Sequence, residues 1–353
     1  MMKILAVNPG STSTKLAVYE NENSLFEQTI RHPDDEIMKL PELDDQLPYR
    51  LESIVEALRL QGFNPSHLDA VVGRGGMLKP MDSGTYLVDE NLLNDARSGK
   101  YGNHASNLGS MIAAEIADSH QIPAYIVDPV CVDELADEAR ISGLVDIERK
   151  SHVHALNIKA VSRKTAAHLG KNLDDASFII AHLGGGISVA AVRNGRIIDV
   201  NNAENEGPFS PERAGGLPAK QLVQLCFSGK YTEKDLLQKM TKQGGVFSYL
   251  GTKNLMEVED WAAEGDLEAA MVIKAMVHQI GKEIGAMATV LEGEMDGIIL
   301  TGGVAHSDRI VALIRKKISF LGKVFVLPGE AEMEALAAGA LRVMGGIEDA
   351  KIY

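Results

Sequence analysis

Four hydroxyl side chains in a row, Ser11-Thr12-Ser13-Thr14, follow the turn dipeptide Pro9-Gly10 and end on Lys15. Backbone N–H groups, hydroxyls and an ammonium converging on one turn suit an anion with many oxygens, such as a phosphate. A second glycine turn, Gly184-Gly185-Gly186, lies far along the chain. Arg74 stands in Arg74-Gly75-Gly76, Arg213 before Ala214-Gly215-Gly216, and Asp128 follows the apolar run Ala124 to Val127. An arginine's planar fork holds a carboxylate or phosphoryl group bidentately. An aspartate at the end of a buried strand lies where α/β folds bind ligands, and it can hold Mg2+ directly or through water. Phosphoryl transfer needs cationic donors, a metal and something to orient the acceptor, so these residues suit it. Plainer readings stand beside each: a Ser/Thr-rich hairpin, surface or interdomain ion pairs for the arginines, a helix N-cap for Asp128.

Other chemistries lack their residues. There is no GxxxxGK[S/T], and Gly184-Gly185-Gly186 runs into a strand, not a helix, so neither a P-loop nor a dinucleotide fingerprint is present. HExxH and GxSxG are absent as well. His152 and His154 are two apart, which on a helix does not put both on one face. Cys131 and Cys226 lack metal-ligand spacing and read as free thiols of a cytoplasmic protein.

The elements that must position these groups alternate between strand and helix. Ile4 to Val7 and Leu16 to Tyr19 flank the first turn, and Ser24 to Arg31 reads as a third strand. Ser177 to Asn194 repeats strand, glycine turn, strand. At one spacing Gly10 falls on Gly184 and Asn8 on His182. Asp69 to Gly76 pairs likewise with Asp296 to Gly303, so the pattern is that of a duplicated α/β unit, its two phosphate-type hairpins facing across a cleft. Helices are expected over Arg50 to Gln61, after a polar loop at 32–48, then over Ala105 to His120, Ser151 to Leu169, Pro218 to Phe227 (covering a sheet), Leu267 to Leu291 and Glu332 to Met344.

At 353 residues the chain can bury two cores. Its 35 basic residues against 49 acidic ones give a net charge of −14, which argues against broad binding to nucleic acid or an anionic membrane. Met1-Met2-Lys3 passes into a strand without a signal-peptide pattern. The uncharged run Ala176 to Val192 carries His182 and three glycines, and reads as two strands about a turn, not a membrane span.

AVNPGSTSTKLAVY (6–19), VVGRGG (71–76), AHLGGGISVAAVRNGRIIDVNNA (181–203), GPFSPERAGGLP (207–218) and ILTGGVAHS (299–307) together resemble the acetate kinase family, in its butyrate and branched-chain acid kinase branch. That family lies in the superfamily of sugar kinases, actin and Hsp70-type ATPases. The resemblance implies an α/β, actin-like ATPase fold of duplicated ribonuclease H-like units, each a mixed five-stranded sheet flanked by helices. It implies a first domain over 1–145 plus about 331–353 on the acid side, and a second over 146–330 on the nucleotide side. It further implies reversible phosphorylation of butyrate or a branched short-chain acid by ATP with Mg2+, giving the acyl phosphate and ADP. An acetate or propionate kinase, and a non-catalytic ATP-binding protein of the actin type, are the alternatives. Carried over residue by residue, Asn8, Ser11, Ser13 and Lys15 sit on the transferred phosphoryl and metal side. Arg74 holds the acid's carboxylate, Asp128 is the catalytic and metal-side aspartate, Arg213 stabilises the transferring group and His154 donates to it. His182, Gly184, Gly185 and Gly186 bind ATP phosphates, with Gly302 and Gly303 near the adenosine. Glu332 is the magnesium-associated glutamate, with Glu330 and Glu334 as competing registers. A second family histidine, four residues after His154, is Ile158 here. Relatives self-associate, so a homodimer or larger homo-oligomer is expected.

Overall fold

The computed structural model describes residues 1–353, which divide into two compact units, Met1–Val132 with Ala331–Tyr353, and Asp133–Glu330. In the first unit, β1 (Lys3–Pro9), β2 (Ser13–Glu20) and β3 (Asn23–Arg31) form an antiparallel meander. On the other side of β1 lie β4 (Ala70–Arg74) and β6 (Ala124–Val127), both parallel to it, and β5 (Thr85–Leu87) adds a short antiparallel edge. The order is β3-β2-β1-β4-β6-β5. In the second unit β7 (Phe178–Leu183), β8 (Ile187–Arg193) and β9 (Arg196–Val200) repeat the meander, and β10 (Gly297–Gly302) and β11 (Val324–Pro328) the parallel part. Its order, β11-β10-β7-β8-β9, matches the first sheet without β5. The first sheet thus has six strands where five were expected, because Thr85, Tyr86 and Leu87 pair with β6.

Period-two alternation gives each sheet two faces. Leu5, Val7, Leu16, Val18 and Val71 point into a core covered by helices α1 (Leu43–Leu60) and α2 (Leu108–His120). Each such side chain contributes roughly 1.5–3 kcal/mol by leaving water. The opposite face carries small residues, Ala6 and Ala17, which the alanine-rich C-terminal helix can approach. In the second unit Ile179, Ala181, Leu183, Val189 and Ala191 pack on the long helix Leu267–Val290, while α3 (Ala155–His168) packs along β7 from the other side.

Several boundaries differ from the sequence reading. Helix α1 starts at Leu43, seven residues before Arg50, with Pro48 inside it. Burial of Leu43 and Leu47 on the same stripe as Ile54 and Leu58 outweighs the hydrogen bond that Pro48 forfeits. Helix α3 starts at Ala155, so His152 and His154 lie ahead of it. The helix α4 (Ala219–Cys226) buries none of its residues, so it does not cover a sheet; Val223 and Phe227 face solvent.

Helix α2 lies backbone against backbone on β4. A Cβ at Gly73 would come within 2.0 Å of Gly109 O, and one at Gly109 within 2.2 Å of Arg74 O. Neither atom can give way without moving the strand that ends in Arg74. Gly109→Ala is therefore expected to cost about 1–3 kcal/mol. A thermal melt should read this as a drop of several degrees, and an unchanged midpoint would contradict the close approach.

Candidate functional site

In the first unit, Asn8 pairs across the ladder with Lys15, so both leave the sheet on the face opposite Leu5 and Val7. Arg74 ends β4 and Glu332 begins the C-terminal helix α5 (Glu332–Met344). Glu332 Oε1 accepts from Arg74 Nη1 at 2.7 Å, and its Oε2 accepts from Asn8 Nδ2 at 2.5 Å. Arg74 Nη1 also lies 3.4 Å from Asn8 Oδ1. A carboxylate is thus already held between an arginine and an amide, both of them predicted site residues. Lys15 is drawn sideways: its ammonium pairs with Glu27 of β3 at 2.7 Å.

Asp128 follows β6, whose last residue Val127 is the ladder partner of Arg74. It is buried and adopts φ 39°, a left-handed conformation that costs a non-glycine residue about 1–3 kcal/mol. Gly84 holds it there: Gly84 N–H donates to Asp128 Oδ1 at 2.7 Å, and Asp128 N–H donates to Gly84 O at 3.0 Å. The C-terminal tail fixes this loop in turn, with Lys351 N–H on Thr85 O at 2.9 Å and Lys351 Nζ on Ser83 O at 2.6 Å. No helix starts at Asp128, so it is not an N-cap. No group of three His, Cys, Asp or Glu side chains forms a ready metal cage. A magnesium that arrives with phosphate oxygens and water needs only one or two protein carboxylates, and the carboxylates expected on the metal side are Asp128 and Glu332, the latter engaged here by Arg74 and Asn8.

In the second unit the turn Gly184-Gly185-Gly186 joins β7 to β8. A Cβ on Gly186 would lie 2.6 Å from Arg213 Nη1, so the bare turn lets the guanidinium rest on it. Arg213 Nη1 also donates to Ala203 O at 2.9 Å. Ser210 fixes the arrangement from both ends: its hydroxyl donates to Gly185 O and accepts from Arg213 N–H. Gly302, at φ 86°, brings the end of β10 against Leu183, just ahead of the glycine turn, with Gly303 starting the next segment. His154 and His182 stack with centroids 4.0 Å apart. His154 Nδ1 is hydrogen-bonded to Ser188 Oγ at 2.9 Å, and His182 Nδ1 to Asn157 Oδ1 at 2.8 Å. Glu330 Oε1 lies 3.8 Å from His182 Nε2, whereas Glu334 lies near Tyr19. Of the three competing glutamates, Glu332 meets Asn8 and Arg74.

Sequence reasoning missed the groups behind the Ser11–Ser13 turn. Arg50 is fully buried, and His32 bonds Thr14 Oγ1 at 2.9 Å through Nε2. Their signal was present: Arg50 occupies a stripe position between Leu47 and Ile54, where an apolar residue belongs. Asn157 and Ser188 were missed likewise; each is a polar residue buried in its element.

A family model described as the acetokinase family matches residues 146–333. Butyrate kinase 2 of Clostridium acetobutylicum is 50% identical over 352 residues, covering 99% of each chain. Among solved structures, an acetate kinase of Porphyromonas gingivalis superposes with TM-score 0.80 at 19% identity, covering 99% of this chain and 100% of that one. A propionate kinase of Francisella tularensis gives 0.72 at 20%, covering 96% and 98%. No helix is long and apolar enough to cross a membrane.

Burial, and then the Arg50 charge, lowers the pKa of His32 from 6.5 to about 4. The folded state then binds fewer protons than the unfolded chain between these values. Stability present above pH 6.5 is lost as pH falls toward 4, on the order of 3 kcal/mol in full. His32→Gln should flatten this acid limb, measured by chemical denaturation from pH 7 to 4.5. Parallel curves for the two proteins would exclude His32 as its source.

Proposed function

The chain belongs to the acetokinase family, and from that premise we propose that the acid it phosphorylates is butyrate or a branched short-chain relative. The reaction is ATP-dependent phosphorylation of a short-chain carboxylic acid. The observation that carries the butyrate reading is the 50% identity to a butyrate kinase over nearly the whole of both chains.

In this reading Arg74 binds the acid's carboxylate, supported by its hold on the Glu332 carboxylate at 2.7 Å. One carboxylate oxygen attacks the γ-phosphorus of ATP, the bond from that phosphorus to the β,γ-bridging oxygen breaks, and ADP leaves with the electron pair. The acid is already ionised near neutral pH, its carboxyl pKa lying roughly three units below 7, so no general base is needed. Ser11, Ser13 and Lys15 receive the phosphoryl group at the first turn, with Asn8 beside it. Lys15 must then exchange Glu27 for phosphate. His182 and Gly184 to Gly186 take the ATP phosphates, Gly302 and Gly303 the adenosine side. Arg213, resting on Gly186, and His154 neutralise the equatorial oxygens. Magnesium, when bound, supplies positive charge to the phosphates. Asp128 and Glu332 would hold it. The first unit takes the acid and the second the nucleotide. The same reading includes a cytoplasmic enzyme that self-associates, and the exposed Val223 and Phe227 offer apolar surface for this.

A hydroxamate assay across C2 to C5 acids tests the acceptor, with butyrate or isobutyrate expected to give the highest kcat/KM. A clear preference for acetate would make this an acetate kinase of the same fold. Arg74→Ala should raise KM for the acid about 10–100-fold with a smaller change in kcat. Arg213→Ala should instead lower kcat about 10²–10³-fold. The opposite pattern would reverse the two assignments.

A further inference from the structure

Arg50 is 0% exposed, and every partner of its guanidinium is neutral. Nη1 donates to Ser13 O and Thr14 Oγ1, each at 3.0 Å. Nη2 donates to Ser11 O at 2.8 Å and to Gln46 Oε1 at 3.0 Å, and Nε reaches the same Gln46 oxygen at 3.3 Å. All five N–H donors of an arginine are thereby used, and no carboxylate is among the acceptors. A buried cation without a counter-ion costs several kcal/mol, so such a charge is retained where something compensates it.

The two carbonyls it holds belong to the hydroxyl turn. His32 N–H holds the third, Thr12 O, at 2.9 Å. No peptide here is cis, so each N–H points opposite the carbonyl of its own peptide unit. Pinning Ser11 O on the guanidinium therefore aims the N–H of Thr12 away from Arg50. Thr14, pointing to Arg50, lies on the opposite face from Ser13 and Lys15 by strand alternation. The guanidinium stands behind the turn while the hydroxyls of the proposed phosphate site stand in front.

We propose that Arg50 is the positioning residue of this turn: its fork holds the carbonyls of Ser11 and Ser13 back, and its uncompensated charge finds its counter-ion in the phosphate bound in front. The inference rests on reading the Ser11 to Lys15 turn as a phosphoryl site. Arg50 touches neither substrate.

Isothermal titration with ATP and steady-state kinetics on the full-length wild type, Arg50→Met and Arg50→Lys test it. Arg50→Met should bind ATP about tenfold more weakly and lose kcat by about tenfold or more, with KM for the acid within about twofold. Arg50→Lys, which keeps the charge but not the fork, should lie between. General loosening of the unit would instead move KM for the acid as far as ATP affinity, and that result, or ATP affinity unchanged in Arg50→Met, overturns the proposal. If Arg50→Met does not fold, Arg50→Lys decides: a selective loss of ATP affinity of about threefold supports it, an equal loss for both substrates or none overturns it. Wild type that binds ATP alongside an equally competent Arg50→Met removes this inference alone, whereas wild type that fails to bind ATP removes the kinase reading too.

Discussion

At the ends of the central strands the backbone is approached so closely that no side chain would fit. Gly73 lies against Gly109, Gly302 against Leu183, and Gly186 beneath the Arg213 guanidinium. Two groups on which the proposed chemistry depends are set by these glycines: Arg74 leaves the chain directly after Gly73, and the tip of the Arg213 side chain rests on Gly186. A methyl group at Gly73 would press on the Gly109 backbone and shift the strand end that carries Arg74, and one at Gly186 would displace the Arg213 guanidinium.

From this constraint the duplication acquires chemical content. Asn8 and His182 occupy matching places on β1 and β7, and each is met by a polar residue from the first turn of the helix on that face. Glu332 of α5 reaches Asn8, and Asn157 of α3 reaches His182. One architecture thus carries two different polar pairs. In the first unit the pair includes an anion and engages an arginine; in the second it fixes a histidine ring and stacks it on another. The sheets are alike because the same alternation of buried aliphatics builds both.

What the sequence disclosed follows the same division. The two turns, the strand-end Asp128 and the duplicated strand order were readable, because glycines and β-branched runs are local signals. The helix Glu332–Met344 was legible to the residue. Less was visible where tertiary burial overrides local preference. Pro48 hid the first turns of α1, and with them Gln46, a partner of Arg50. A run of helix formers masked the irregular stretch that ends at His154. Helix α4 has an amphipathic pattern but no sheet beneath it, since periodicity tells which face is apolar and not what covers it. The left-handed backbone of Asp128 could not be read at all, because it is imposed by Gly84 and a tail more than two hundred residues later.

The bond between Asn8 and Glu332 joins residues 324 positions apart. During synthesis β1 leaves the ribosome early, yet the helix that lids its second face emerges last. Ala6 and Ala17 therefore wait uncovered while the whole second unit is made, and that unit is free to fold meanwhile as a continuous segment. Closing so long a loop is entropically slow, and its late reward arrives only with the last helix. The nascent protein thus carries a half-covered sheet until the helix Glu332–Met344 docks on it.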